Sequence, residues 1–152
     1  MAEEQKEKVY LPIIYDASTG KPALPEEIRL AILFADEIGV KPERGHVCLY
    51  FGKPWITIEG WYFLLRKYWP KACLKTRPLD INERGRANIP EGVDAWVAEV
   101  YTEEGGKLLS MGYGYARQEE PLAPKSTVET RWPWRLAEKR AEEDAIRKAV
   151  GL

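Results

Sequence analysis

The residues of this chain that could do chemistry are cations and aromatic rings. Trp55, Trp61, Tyr62, Tyr68, Trp69, Tyr113 and Tyr115 alternate with Lys53, Arg66, Lys67 and Lys75. Cations that track phosphates, together with rings that stack bases, hold single-stranded nucleic acid, each stacked base contributing ~1–3 kcal/mol. The same rings serve equally well as core or as a subunit contact. Catalytic constellations are scarce. The single histidine, His46, stands at a strand start, where a hydrogen-bonding or surface role outweighs catalysis. No P-loop, nucleophile elbow or dinucleotide fingerprint is present, and Gly112-Tyr-Gly-Tyr115 leads into no helix. Zinc needs more Cys and His than this chain holds. Glu59, Asp94 and Glu99 are the carboxylates a magnesium-dependent nuclease would use, but chance pairs are common among 24 acids. The residues therefore read as a non-enzyme without metal or cofactor.

The formal charge is −1, which does not mark a nucleic-acid binder; its distribution says more. From Arg66 to Ala87 the cations Arg66, Lys67, Lys71, Lys75, Arg77, Arg84 and Arg86 face only Asp80 and Glu83. That segment carries +5, so the remainder totals −6. A basic zone on an acidic chain fits a polyanion groove, and it also fits a solvated face.

The elements that must position these groups follow from periodicity. Residues 1–24 read as a tail and irregular lead-in with a strand at Tyr10–Tyr15, and residues 25–152 as one domain. Pro25 and the acidic Glu26 and Glu27 open a helix with an Ile28, Ala31, Ile32, Ala35 stripe, closed by Gly39. Val47–Phe51 and Trp55–Ile58 form a hairpin about Gly52-Lys53. Gly60 is an elbow into a helix over Trp61–Trp69, with Trp61, Leu64, Leu65 and Tyr68 on one face and Pro70 ending it. Ala72–Leu79 is a strand edged by Lys75 and Arg77. Residues 80–92 are a loop with a mobile Arg84-Gly-Arg86 tip. Val93–Thr102 and Lys107–Ala116 are strands, and the glycines of Gly112-Tyr-Gly-Tyr115 signal a bulge or a close backbone approach. After a proline-bearing connection over 117–130, a helix runs from about Arg131 to Val150. Its Ala137, Ala141, Ala145 and Ala149 row lets it lie close on a sheet. The expected class is α+β: a β-β-α-β-β-β-α core with a mainly antiparallel sheet, helices packed on it, and an N-terminal helix before it.

Two isolated cysteines, Cys48 and Cys73, read as buried free thiols in a reducing compartment. No apolar run is long enough for a bilayer, and Met1–Lys8 lacks the apolar core of a signal peptide, so a cytoplasmic setting is expected.

The run from Ala35 to Gly60, with Gly39-Val-Lys-Pro42, Gly45 and Gly52-Lys-Pro-Trp-Ile-Thr57, resembles that of RecT and Redβ type phage single-strand annealing proteins. Ile58-Glu-Gly60, the Val100–Tyr115 run ending in Gly-Tyr-Gly-Tyr, and the helix from Glu138 to Val150 are similar to the Rad-fifty-two annealing domain and its DdrA relatives. The resemblance covers about residues 28–152. It implies an oligomeric ring or filament, in the nucleoid or a phage-infected cell. It implies ATP-independent binding of single-stranded DNA in a basic groove, annealing of complementary strands in recombination and repair, and an exonuclease or single-strand-binding protein as further partner. By motif, Arg147 and Lys148 match the basic pair of the final helix that lines the groove, and Arg140 lies two turns earlier. Tyr62 stands where the annealing domain carries a groove arginine, and Gly151 near another, with Lys53 or Arg66 available to compensate. The expected contact set is thus Lys53, Trp61, Tyr62, Arg66, Lys67, Lys75, Arg77, Arg84, Arg86, Arg140, Arg147 and Lys148. The alternatives are an interaction protein whose basic and aromatic surface is a subunit contact, and a metal-dependent nuclease.

Overall fold

The structure, a computed structural model, describes residues 13–118 and 132–152. The N-terminal tail, positions 10–12 of the expected first strand, and positions 119–130 of the connection lie outside the described residues. The fold is α+β. In chain order the elements are β1 (Tyr15–Asp16), β2 (Lys21–Pro22), α1 (Pro25–Ile38), a 3-10 turn (Pro42–Arg44), β3 (Val47–Tyr50), β4 (Lys53–Ile56), α2 (Ile58–Tyr68), β5 (Cys73–Pro78), α3 (Ile81–Arg86), β6 (Val93–Tyr101), β7 (Leu108–Arg117) and α4 (Pro133–Val150). The strands form two sheets, ordered β2-β1-β3-β4 and β5-β6-β7. All pairings are antiparallel except β1 with β3.

Helix α4 joins these layers. It lies on β6 and β7, with α2 packed beside it. Ala137, Ala141 and Ala145 are fully buried. Opposite them stand Gly112 and Gly114, where a Cβ on Gly112 would come 2.5 Å from the Ala141 carbonyl oxygen and one on Gly114 would overlap that of Ala137. Four helical residues advance about 6 Å and two strand residues about 6.8 Å, so an alanine every fourth position meets a glycine every second. The glycines therefore serve close approach. The bulge falls elsewhere, between Val100 and Tyr101. The main core gathers Leu49, Leu64, Val100 and Ile146, all fully buried. Leu79, Ala95 and Val97 make a smaller cluster on the far face of the second sheet.

Three local expectations need correction. The hairpin loop is Phe51-Gly52, not Gly52-Lys53, because Tyr50 pairs with Lys53 and both loop residues adopt positive φ (51° and 75°). Such a turn matches strand twist. Asp16 holds it by accepting the Phe51 and Gly52 N–H groups at 3.3 and 2.8 Å. Next, α2 begins at Ile58 behind Thr57, whose hydroxyl accepts the Gly60 N–H at 3.2 Å, so Gly60 lies inside the first turn. It is glycine for space, since a Cβ would stand 2.5 Å from the His46 carbonyl oxygen. Finally, the 80–92 stretch contains α3. Asp80 accepts the Glu83 N–H at 2.8 Å and the Glu83 carboxylate accepts the Asp80 N–H at 3.0 Å, the reciprocal pair that starts a helix.

His46 is buried, and its Nδ1 accepts the Lys41 N–H at 3.0 Å, with burial holding its pKa down. Cys48 and Cys73 are free and half-buried, in different sheets. Among the described residues no helix is long and apolar enough to cross a membrane.

Candidate nucleic-acid interface

A trough of about 470 Å3 lies between the first hairpin and α4. Phe34, Pro54, Trp55, Ile56 and Trp61 make its apolar wall, and Arg140, Glu143, Asp144 and Arg147 its polar one. Thr57 starts α2 so that Trp61 points inward, and the Phe51-Gly52 turn brings Trp55 round beside α4. Lys53 shares the Trp55 face of β4, about 7 Å along the strand, and is exposed.

The trough is electrically balanced rather than basic. Asp144 accepts from Arg147 at 2.7 Å and from Lys148 at 2.9 Å, with both cations about half exposed. Burial would raise the Asp144 pKa, but these two bonds and the Tyr113 N–H outweigh it, and the carboxyl sits below its ordinary value. Glu143 is pushed up by burial, against the pull of Lys139 and Arg140.

The same helix face also seals a strand edge. Lys148 donates to the Met111 carbonyl at 3.1 Å, Asp144 accepts the Tyr113 N–H at 3.2 Å, and Arg140 donates to the Tyr115 carbonyl at 2.7 Å. The 4:2 spacing that seats alanine on glycine thus also sets side chains against alternate open groups of β7, which blocks pairing by another strand.

The expected contact residues do not all converge. Trp61, Arg140 and Arg147 line the trough, Lys53 is not among its lining residues, and Trp61 is only 9% exposed. Lys148 lies along the β7 edge. Tyr62 turns inward, its hydroxyl donating to Glu142, which also accepts from Thr76 at 2.8 Å; burial and that carboxylate push the phenol well above its ordinary range. Arg66 borders a separate hollow with Tyr62, Leu65 and Trp69. Lys67 sits over the Tyr68 ring. Lys75 pairs with Glu104 at 3.4 Å, and Arg77 with Glu83 at 2.5 Å. Arg84 is no mobile tip: it donates to the Pro90 and Val93 carbonyls at 3.1 and 2.8 Å. Arg86 lines a hollow with Tyr113 and Tyr115 on the far face of the second sheet. The basic zone of 66–87 is therefore spread over several surfaces: Lys75 and Arg77 share one face of β5, Arg66 and Lys67 lie on α2, and Arg84 and Arg86 on α3.

Phe34, Glu143 and Asp144 escaped the sequence reading as trough residues. Phe34 lies one position from the stripe read as packing, which offers no signal. Asp144 had one, its spacing of three and four from Arg147 and Lys148. Of the carboxylates named for a nuclease, Asp94 and Glu99 project from opposite faces of β6, and among the described residues no group of three His, Cys, Asp or Glu could hold a metal. No family model and no curated protein matches the chain.

Proposed function

We propose that this protein binds single-stranded DNA and anneals complementary strands without ATP, as an oligomeric ring or filament. The observation that supports it is the meeting of Arg140 and Arg147 with the exposed Trp55 in one trough, with Lys53 beside it. The resemblance to annealing proteins points the same way. In this reading the α4 cations engage phosphates, which hold a strand without reading its sequence. Bases left outward test a second strand by pairing, and repetition around an oligomer multiplies a weak single-site affinity. Binding requires phosphates to compete with Asp144 for Arg147 and Lys148.

The test is fluorescence anisotropy with a labelled oligodeoxythymidylate, alongside annealing of two complementary oligonucleotides. Arg147→Ala with Lys148→Ala lowers affinity, and removing two phosphate contacts flattens the dependence of log K on log salt by about 1.4. Undiminished binding by the folded double variant sinks the trough as the site.

A second reading has an observation of its own. The trough wall is apolar and its charges balance, as suits a contact between subunits. This reading expects assembly that depends on Trp55 and no shift of labelled oligonucleotide at low salt.

A further inference from the structure

On the far face of the second sheet, Tyr113 and Tyr115 stand two residues apart on β7, each 42% exposed. Strand geometry carries their rings about 7 Å apart, on one side of the sheet. They border a hollow of about 290 Å3 with Leu79, Glu83, Arg86 and Ala87. Beneath them is the small buried cluster of Leu79, Ala95 and Val97, against which Ile89 and Met111 pack, and of which Leu79 lines the hollow.

The charges around this hollow favour an anion. Its carboxylate, Glu83, is held by Arg77 through two bonds of 2.5 and 3.0 Å. Arg86 has no carboxylate partner among the described residues, and Arg84 spends its hydrogen bonds on carbonyls, so neither charge is cancelled by a carboxylate bond. The platform and the trough lie on the two sides of the free edge of β7. Arg140 and Lys148, bonded to the Tyr115 and Met111 carbonyls, set cationic heads along that edge.

We propose that Tyr113 and Tyr115 are a base-stacking platform, onto which a single-stranded polynucleotide continues after crossing the β7 edge. Each ring takes one base, and Arg86 takes a phosphate beside them. Sheets that read single strands work this way, stacking two or three bases on aromatic side chains. The proposal deepens the single-strand reading and rests on it, but it uses residues outside the trough. It also accounts for tyrosine on the outward side of a strand whose inward side must be glycine: the alternation that serves α4 leaves the outer positions free for large rings.

Anisotropy with oligodeoxythymidylates of graded length tests it. Tyr113→Ala with Tyr115→Ala weakens binding of the longer probes by roughly tenfold per ring. Its salt slope stays unchanged, because no phosphate contact is lost. Tyr113→Phe with Tyr115→Phe keeps the affinity, since the ring does the stacking. Bromodeoxyuridine-substituted probe photo-crosslinks to Tyr113 or Tyr115 in the unaltered protein. If the alanine pair binds as tightly as the parent while Arg147→Ala with Lys148→Ala does not, the platform is overturned and the trough stands. If the alanine pair weakens binding while the α4 pair has no effect, the trough fails and the platform stands. A protein that ignores every probe at low salt loses both.

Discussion

Asp144 and Arg147 are bonded at 2.7 Å, one helical turn apart on α4, and the same carboxylate takes Lys148. The cation nearest the trough thus comes with a counter-charge attached. A phosphate that binds there must replace the carboxylate, which lowers affinity and holds the cations in position until it arrives.

Asp144→Asn tests this directly. Asparagine keeps an acceptor for the Tyr113 N–H and removes the charge. The exposed pairs it breaks contribute about 0.2–1 kcal/mol each, so stability falls by up to ~2 kcal/mol. Oligonucleotide affinity rises severalfold at low salt, with a steeper salt slope. Unchanged or weaker binding, measured by anisotropy, means that Asp144 does not compete with phosphate.

Glu143 sets a pH dependence. Its folded-state pKa is raised by burial, so the folded protein binds a proton more readily than the unfolded chain. Stability from this group therefore increases as pH falls through the raised value, and levels off below the ordinary carboxyl range. Protonation also removes a negative charge from the trough wall, so oligonucleotide binding tightens over the same window. Glu143→Gln, titrated in parallel, binds more tightly at neutral pH and loses that pH response.

Gly114→Ala is the sharpest test of the helix–sheet contact. The added methyl meets backbone of α4 at Ala137 and Ala141, which no rotamer change relieves. The cost is at the upper end of overpacking, about 3 kcal/mol. For a chain of this size that lowers the midpoint of thermal unfolding by roughly 6–12 °C.

Tyr62→Phe leaves buried Glu142 with Thr76 as its remaining side-chain donor. Loss of a hydrogen bond to a carboxylate costs ~1.5–3 kcal/mol, read as a lower denaturation midpoint in urea. Oligonucleotide binding is unchanged, because the hydroxyl faces α4 and not the trough. A binding defect without a stability loss would return Tyr62 to the interface.

Much of the fold was legible because it is written locally. Pro25, Glu26 and Glu27 begin α1 by capping chemistry that needs no partner. Val93–Tyr101 is rich in Val, Trp and Tyr, as strands are, and the alanine row of α4 together with Gly112 and Gly114 announced a close helix–sheet contact. The Phe51-Gly52 loop was missed because a bulky residue with positive φ is held there by Asp16, 35 residues away. Helix α3 was missed because glycine and charge in Ile81–Arg86 imitate a loop, while the Asp80 and Glu83 pair that starts it carries little weight in so short a run.

The sequence by itself determined the longer helices and strands, their apolar faces and the placing of cations along them, since each follows from residue type and spacing over a few positions. Only the tertiary structure decided which cations share a surface. Burying Tyr62 against Glu142, seating Arg84 on carbonyls and closing Asp144 onto Arg147 depend on how α2, α3 and α4 pack around the second sheet. Charge adds up along a chain, but a binding surface depends on where side chains meet in space.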